Sequence, residues 1–304
     1  MADLAPIVLF VYNRPYHTRL TLAALAANPL AIDSDLIIYA DGPKKPEHVA
    51  SVSATRAIIR AATGFKSISL VERDENFGLA RSIILGVTEV CDASGRAIVL
   101  EDDLIAAPEF LSFMNLALDR YENEEKVMQI AGYMFPVDRP QELPPAFFLR
   151  LSSTWGWATW RRAWAAFESD SEVLLKRMKD VDSYQFDMNG SHAYMQTLVD
   201  HRLGKLDVWG VRWYASMFLQ QGLCLHPVQS FVRNIGMDGS GEHCGPSNAY
   251  DVELGFPVPS QFPEEIVASA LGEAKVVDFF RKPKQPIIQR AMSRLKRTLV
   301  RNVW

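Results

Sequence analysis

The chain has 304 residues, 48% of them hydrophobic and 22% charged, with a formal net charge of −4. That balance excludes an intrinsically disordered chain, and no apolar run approaches the ~18 residues of a membrane span. Three cysteines (Cys91, Cys224 and Cys244), none of them in a CxxC pair, exclude a closed disulfide framework and a cysteine-built structural zinc site. Met1-Ala2-Asp3-Leu4 lacks the basic start and apolar stretch of a secretory signal, so a cytoplasmic location is expected.

Ile7 to Tyr12 is a continuous apolar run, read as a strand buried on both faces and broken by Asn13-Arg14-Pro15. A Leu- and Ala-rich helix is predicted over Thr18 to Ala27. Leu36 to Ala40 is a second strand, ended by Asp41-Gly42-Pro43, and a helix is predicted over Val49 to Ala62. Ser67 to Glu72 is a third strand, after which Asn76-Phe77-Gly78-Leu79 opens a helix running to about Val90. Ala97 to Leu100 is a fourth strand, ending in Glu101-Asp102-Asp103, and Pro108 to Tyr121 reads as a helix. Alternating strands and helices predict an α/β domain with a mainly parallel sheet and right-handed crossovers. Ligands of such sheets bind beyond the carboxyl ends of the strands, so Asn13-Arg14, Asp41-Gly42 and the acidic triplet are expected to converge.

Three consecutive acids after an apolar strand crowd like charges, which raises their pKa values unless a cation neutralises them. A hard divalent ion, Mn2+ or Mg2+, does this through oxygen ligands and also binds phosphate oxygens. Strand alternation puts Glu101 and Asp103 on one side and Asp102 on the other. The competing reading is acids placed at a helix N-terminus to complement its dipole. At the neighbouring strand ends, Asp41 can accept from a base or ribose and Arg14 can meet a diphosphate. Asn76, Gly78 and Arg81 open a helix whose free donors suit an anionic or sugar ligand. Together these residues point to a nucleotide-diphosphate pocket.

The set Pro6 to Pro15, Ala40-Asp41-Gly42-Pro43, Asn76-Phe77-Gly78-Leu79 and Val99 to Leu104 resembles the nucleotide-sugar half of glycosyltransferases with the GT-A fold. It also resembles N-acetylglucosaminyltransferase I. Bacterial glycosyltransferases of polysaccharide or glycan assembly are also similar, through Ser153 to Trp160 and Asn234 to His243. The resemblance spans about Pro6 to Cys244. It implies a metal-dependent inverting transfer of a sugar, N-acetylglucosamine or another hexose, from a nucleotide-diphosphate donor to a glycan or lipid-linked hydroxyl. Asp41 would hold the nucleobase, Arg14 the nucleotide and Asp103 the metal, with Glu101 and Asp102 around ribose and sugar. His243 would complete the metal shell, the alternative being a loop histidine bonded to backbone. The glycines at 236, 239, 241 and 245 suggest that this loop closes over donor.

An inverting enzyme also needs a carboxylate to deprotonate the acceptor. The resemblance points to Asp207, in Lys205 to Trp213, with Asp238 as competitor. Relatives often carry a second acid after the first Trp of that segment, where this chain has Gly210. The plain alternative for Asp207 is a cap of the following helix.

All seven tryptophans lie in the second half. The spacing of Trp155, Trp157, Trp160 and Trp164 is that of core aromatics. Trp155-Gly156-Trp157 is a separate case, because glycine lets a flat ring approach a sugar face, and this piece is expected to line the donor or acceptor site. The predicted organisation is one continuous domain: a nucleotide-sugar half over 1–135, an acceptor half over 136–280 and a basic tail over 281–304. The tail holds eight Lys or Arg residues and no acid, so with a total of −4 the rest of the chain carries −12. A body that acidic is a poor partner for nucleic acid. The tail's apolar residues (Ile288, Met292, Leu295, Leu299, Val303) repeat at helical spacing opposite its arginines. That pattern suits either an anionic membrane surface or a terminal helix docked on its own domain. Two other functions fit the sequence less well. A sugar-phosphate nucleotidylyltransferase would carry a Gly-rich basic signature after the first strand, where Asn13-Arg14-Pro15 stands. A catalytically silent membrane-peripheral scaffold with the same fold would not need the intact triplet and Asp207.

Overall fold

A computed structural model describes residues 3–239, 248–255 and 257–282. The first half runs β1 (Ile7–Val11), α1 (Pro15–Ala26), β2 (Asp35–Ala40), α2 (Val49–Arg60), β3 (Ser67–Glu72), α3 (Leu79–Ser94) and β4 (Arg96–Glu101). β5 (Leu104–Ala106), α4 (Phe110–Arg120), β6 (Val127–Ala131), β7 (Ala146–Leu149), β8 (Trp157–Trp160) and α5 (Arg161–Trp164) follow. Next come α6 (Ser171–Arg177), α7 (Ser183–Phe186), α8 (Tyr194–Arg202), α9 (Gly210–Leu219), β9 (Leu223–Pro227), β10 (Val232–Asn234) and α10 (Ala270–Arg281).

The sheet is mixed α/β and mostly parallel, as the alternation predicts, with strand order β3-β2-β1-β4-β8-β6-β9-β7. Six of the eight strands point one way, and β8 and β7 run against them. All of β1 is buried, from Ile7 at 0% to Val11 at 4% exposure, which is why its sequence is apolar without alternation. Each such side chain contributes about 1.5–3 kcal/mol on burial. Pro15 starts α1 where a missing N–H costs nothing, and Gly95, at φ +76°, ends α3 in the left-handed region.

Two features shape the site. The chain leaves β1 toward β2 and β3, then α3 carries it back so that β4 pairs on the other side of β1. The carboxyl ends of β1 and β4 therefore flank a topological switch point, where a crevice opens. Beyond β4, the second half continues the same sheet: β8 lies antiparallel to β4, pairing Val99 with Trp157. A small second sheet pairs β5 with β10 and brings residues 234–236 back over the end of β4.

The triplet does not alternate as a strand. β4 ends at Glu101, and Asp102 and Asp103 form a turn into β5. Nor do these acids sit at a helix start, since α4 begins only at Phe110. Among the described residues no helix is long and apolar enough to cross a membrane. The proposed membrane segment falls almost wholly on residues 283–304, outside the described residues.

His226, in β9, is fully buried, its ring nitrogens 3.0 Å from the Leu151 carbonyl oxygen and 3.3 Å from that of Tyr133. Burial pushes its pKa down from 6.5 to about 4. The unfolded chain therefore takes up the proton more readily. This part of the stability is complete above pH ~6.5 and is lost as pH falls through about 4, at a cost of ~3 kcal/mol. Denaturant unfolding between pH 7 and pH 4 should show that slope, and His226→Gln should lack it. An unchanged slope in the variant would mean another group carries the acid sensitivity.

Candidate active site

Beyond the carboxyl ends of β1, β2 and β4 lies a cavity of about 370 Å³, within the usual range of small-ligand sites. Its lining brings together Asn13, Arg14, Asp41, Asn76, Gly78, Glu101, Asp102, Asp103 and Trp155. The predicted convergence of strand ends is therefore a feature of the fold, and the turn geometry lets all three acids face one space.

The carboxylates are crowded. Burial first, then the Asp103 charge, raises Asp102 to about 7, while Arg14 works in the opposite direction. Burial also pushes Glu101 well above the ordinary carboxylate range, with Asp103 and Asp102 adding to the shift. Asp102 Oδ2 accepts from the Tyr12 N–H at 3.3 Å, and Thr21 of α1 donates to the Asp102 carbonyl at 2.8 Å, fixing the turn against β1 and α1. Arg14 supplies positive charge, with Nη1 2.8 Å from Asp103 Oδ2 and 3.8 Å from Asp102 Oδ1. Gly236 closes the space from above. A Cβ there would overlap Asp103 Oδ2 and lie 2.8 Å from Arg14 Nη2, so a larger residue would have to displace these two side-chain ends.

The donor set suits a hard divalent cation: acid oxygens only, with burial and mutual repulsion holding Glu101 and Asp102 above ordinary carboxylate values. Among the described residues no group of three or more His, Cys, Asp or Glu side chains is placed to hold a metal ion together. Ions of the magnesium type do not need one, because they bind through one or two carboxylates and take water and phosphate oxygens for the rest. His243, the expected further ligand, lies outside the described residues.

Several expected ligand contacts are not where the sequence placed them. Trp157 is 1% exposed, packed among Trp209 at 5.3 Å, Trp164 at 5.7 Å and Trp213 at 6.3 Å between ring centroids, so it is core. Gly156 is buried as well. Its carbonyl oxygen accepts from the Gly132 N–H, and a Cβ on it would meet Val232 at 2.7 Å, so the glycine serves close packing rather than a sugar. The cause is β8, which starts at Trp157 and carries that ring into the core; only Trp155 reaches the cavity. Arg81 is exposed and stacks 4.0 Å over the Phe77 ring, outside the cavity lining. Asp41 lines the cavity, yet its Oδ1 and Oδ2 accept from the Phe77 and Gly78 N–H groups, both at 2.9 Å.

Asp207 is exposed and is not among the residues lining the cavity; its Oδ2 lies 3.8 Å from where a Cβ on Gly78, a lining residue, would sit. It does not cap α9, whose cap position is Trp209 with no side-chain bond. Asp238, half-exposed, is 4.0 Å from Arg14 and 3.4 Å from His17. These contacts place Asp238 beside the carboxylate turn.

Sequence reading missed several lining residues. Tyr12, Lys44 and His48 meet at the cavity edge, with Tyr12 Oη 2.6 Å from His48 Nδ1 and accepting from the Lys44 N–H at 2.8 Å. Tyr12 was signalled only as the end of an apolar run, and nothing local to His48 or to His17 marks them. Asn234 and Met237 also line the cavity, inside a segment recognised as a motif without either residue being singled out.

No family model matches the chain, and no curated protein does. Among solved structures it is similar to a mannosyltransferase from Pyrobaculum calidifontis in complex with GDP-Man and Mn2+, at 10% identity over 72% of each chain and a TM-score of 0.40. It is similar to S. aureus TarS 1-349 at 10% identity, over 66% of this chain and 79% of that one, TM-score 0.38. Glucosyl-3-phosphoglycerate synthase from Mycobacterium tuberculosis in complex with Mn2+, uridine diphosphate and phosphoglyceric acid gives 11% identity, over 67% and 80%, TM-score 0.33. Likeness this distant assigns no activity, and the narrower likeness to N-acetylglucosaminyltransferase I finds no support in it. The functional reading rests on the site.

Proposed function

We propose that this chain is a divalent-metal-dependent glycosyltransferase that moves a hexosyl group, with inversion, from a nucleotide-diphosphate sugar to a glycan or lipid-linked hydroxyl. One observation carries the reading: three crowded carboxylates and Arg14 face a single cavity at the switch point of a mostly parallel sheet. Asp103, with Asp102 or Glu101 beside it, would hold Mn2+ or Mg2+. When bound, the ion supplies Lewis acidity that offsets charge on the departing nucleoside diphosphate. Arg14 presents its guanidinium to the same diphosphate. Trp155, the one tryptophan of its trio at the cavity, offers an indole face to a sugar ring. Asp207, exposed near Gly78, would take the proton from the acceptor hydroxyl as that oxygen attacks the anomeric carbon.

The test is hydrolysis of UDP-glucose, UDP-N-acetylglucosamine and GDP-mannose, water serving as acceptor, with Mn2+ or with EDTA. Release of nucleoside diphosphate from at least one donor, dependent on Mn2+, is expected. No release from any of the three, together with no Mn2+-dependent binding of UDP or GDP, would sink the reading.

A further inference from the structure

One face of α1 grips both walls of the cavity's charged end. His17 and Thr21, four residues apart on that helix, share a face and are both buried. Thr21 donates to the Asp102 carbonyl oxygen at 2.8 Å, which ties the helix to the carboxylate turn. One turn earlier, His17 Nε2 stands 3.4 Å from Asp238 Oδ2, in the segment that returns after β10. Arg14, at the cap position of the same helix, stands between the two walls, 2.8 Å from Asp103 and 4.0 Å from Asp238.

The returning segment faces the cavity with Asn234, Gly236 and Met237. Its near end is fixed by backbone. β10 pairs with β5, the Ile235 N–H donates to the Asp103 carbonyl oxygen at 2.9 Å, and the Gly236 N–H donates to Asn234 Oδ1 at 2.8 Å. Beyond Gly236, the Asp238 carboxylate reaches back to α1. An imidazole left 7% exposed needs a polar partner, and Asp238 supplies an acceptor. Neither His17 nor Asp238 is among the residues lining the cavity, so the pair acts through the wall it holds.

We propose that His17 is a positioning residue for the nucleotide site: through Asp238 it holds residues 236–238 as the wall beside Arg14 that retains a bound diphosphate. This rests on the reading of the cavity as a nucleotide-sugar site. Retention of the nucleotide then depends on a side chain that does not touch it.

The experiment compares wild type, His17→Phe, His17→Gln, Asp238→Ala and His17→Phe/Asp238→Ala. Each is titrated with UDP and with GDP in the presence of Mn2+, and turnover is measured on whichever donor is hydrolysed. Phenylalanine keeps a ring and loses the donor, whereas glutamine loses the ring and keeps an N–H donor. His17→Phe is expected to raise the nucleotide Kd about 10-fold, the scale of one hydrogen bond to a charged group. Its kcat at saturating donor should stay within about 3-fold of wild type. His17→Gln should keep Kd within about 3-fold. Asp238 is half-exposed, so its variant tests the same contact with little disturbance of the core. Adding His17→Phe to Asp238→Ala should cost less than about 2-fold more, because the two form one contact. The opposite order, with glutamine weaker than phenylalanine, would make His17 a packing residue and overturn the proposal. So would an unchanged Kd in His17→Phe, or losses that multiply in the double variant. Wild type that binds neither nucleotide with Mn2+ would instead defeat the parent reading, and this inference with it.

Discussion

Replacing Asp103 with alanine should abolish Mn2+-dependent binding of UDP or GDP while leaving the chain folded. Asp103 Oδ2 sits 2.8 Å from Arg14 in the cavity, where a cation and a diphosphate would share it. The loss should exceed the ~10–100-fold that follows removal of a mere outer-shell partner of a metal, because a direct anionic ligand is deleted. The fold should survive, since Arg14 keeps Asp102 at 3.8 Å and Asp238 at 4.0 Å. The variant also relieves crowding. The Asp103 charge helps to raise both Asp102 and Glu101, so its removal returns both toward ordinary carboxylate values. Calorimetric titration of Mn2+ and nucleotide, beside a melting curve without metal, reads both halves of this expectation. Mn2+-dependent binding at wild-type affinity would exclude Asp103 as a ligand.

The second large effect is expected at Asp207. Asp207→Asn keeps the shape of the side chain and removes its capacity to take a proton, so kcat should fall by about 10²–10⁴-fold. Donor binding should remain within about 2-fold, because Asp207 is not among the residues lining the cavity and lies outside the carboxylate turn. Asp238→Asn is the control. Arg14 and His17 are among its partners, so its replacement should weaken nucleotide binding more than it slows turnover. The reverse pattern, with Asp238→Asn inactive and Asp207→Asn fully active, would exchange the two assignments.

The first four strands of the main sheet were legible because each is a local pattern: an apolar run such as Ile7 to Val11 followed by a breaker such as Asn13-Arg14-Pro15. A parallel sheet then brings strand ends together by topology alone, so the convergence of Arg14, Asp41 and the acidic triplet needed no distances. The second half offered no such rule. Its strands are short, β8 inserts antiparallel beside β4, and that single reversal sends Trp157 into the core and leaves Trp155 at the cavity.

The sequence by itself determined which residues stand at the ends of the leading strands, and that acids would crowd there. Only the tertiary structure decided what each of them touches. Asp41 spends its oxygens on the Phe77 and Gly78 amides, Arg14 meets an acid 89 positions away, and Gly236 returns over that same acid. The physical reason is that hydrophobic periodicity encodes where the backbone goes and which face is buried, a property of neighbours in sequence. A polar side chain's partner is whatever donor or charge the folded chain brings within about 3 Å, and no local pattern records it.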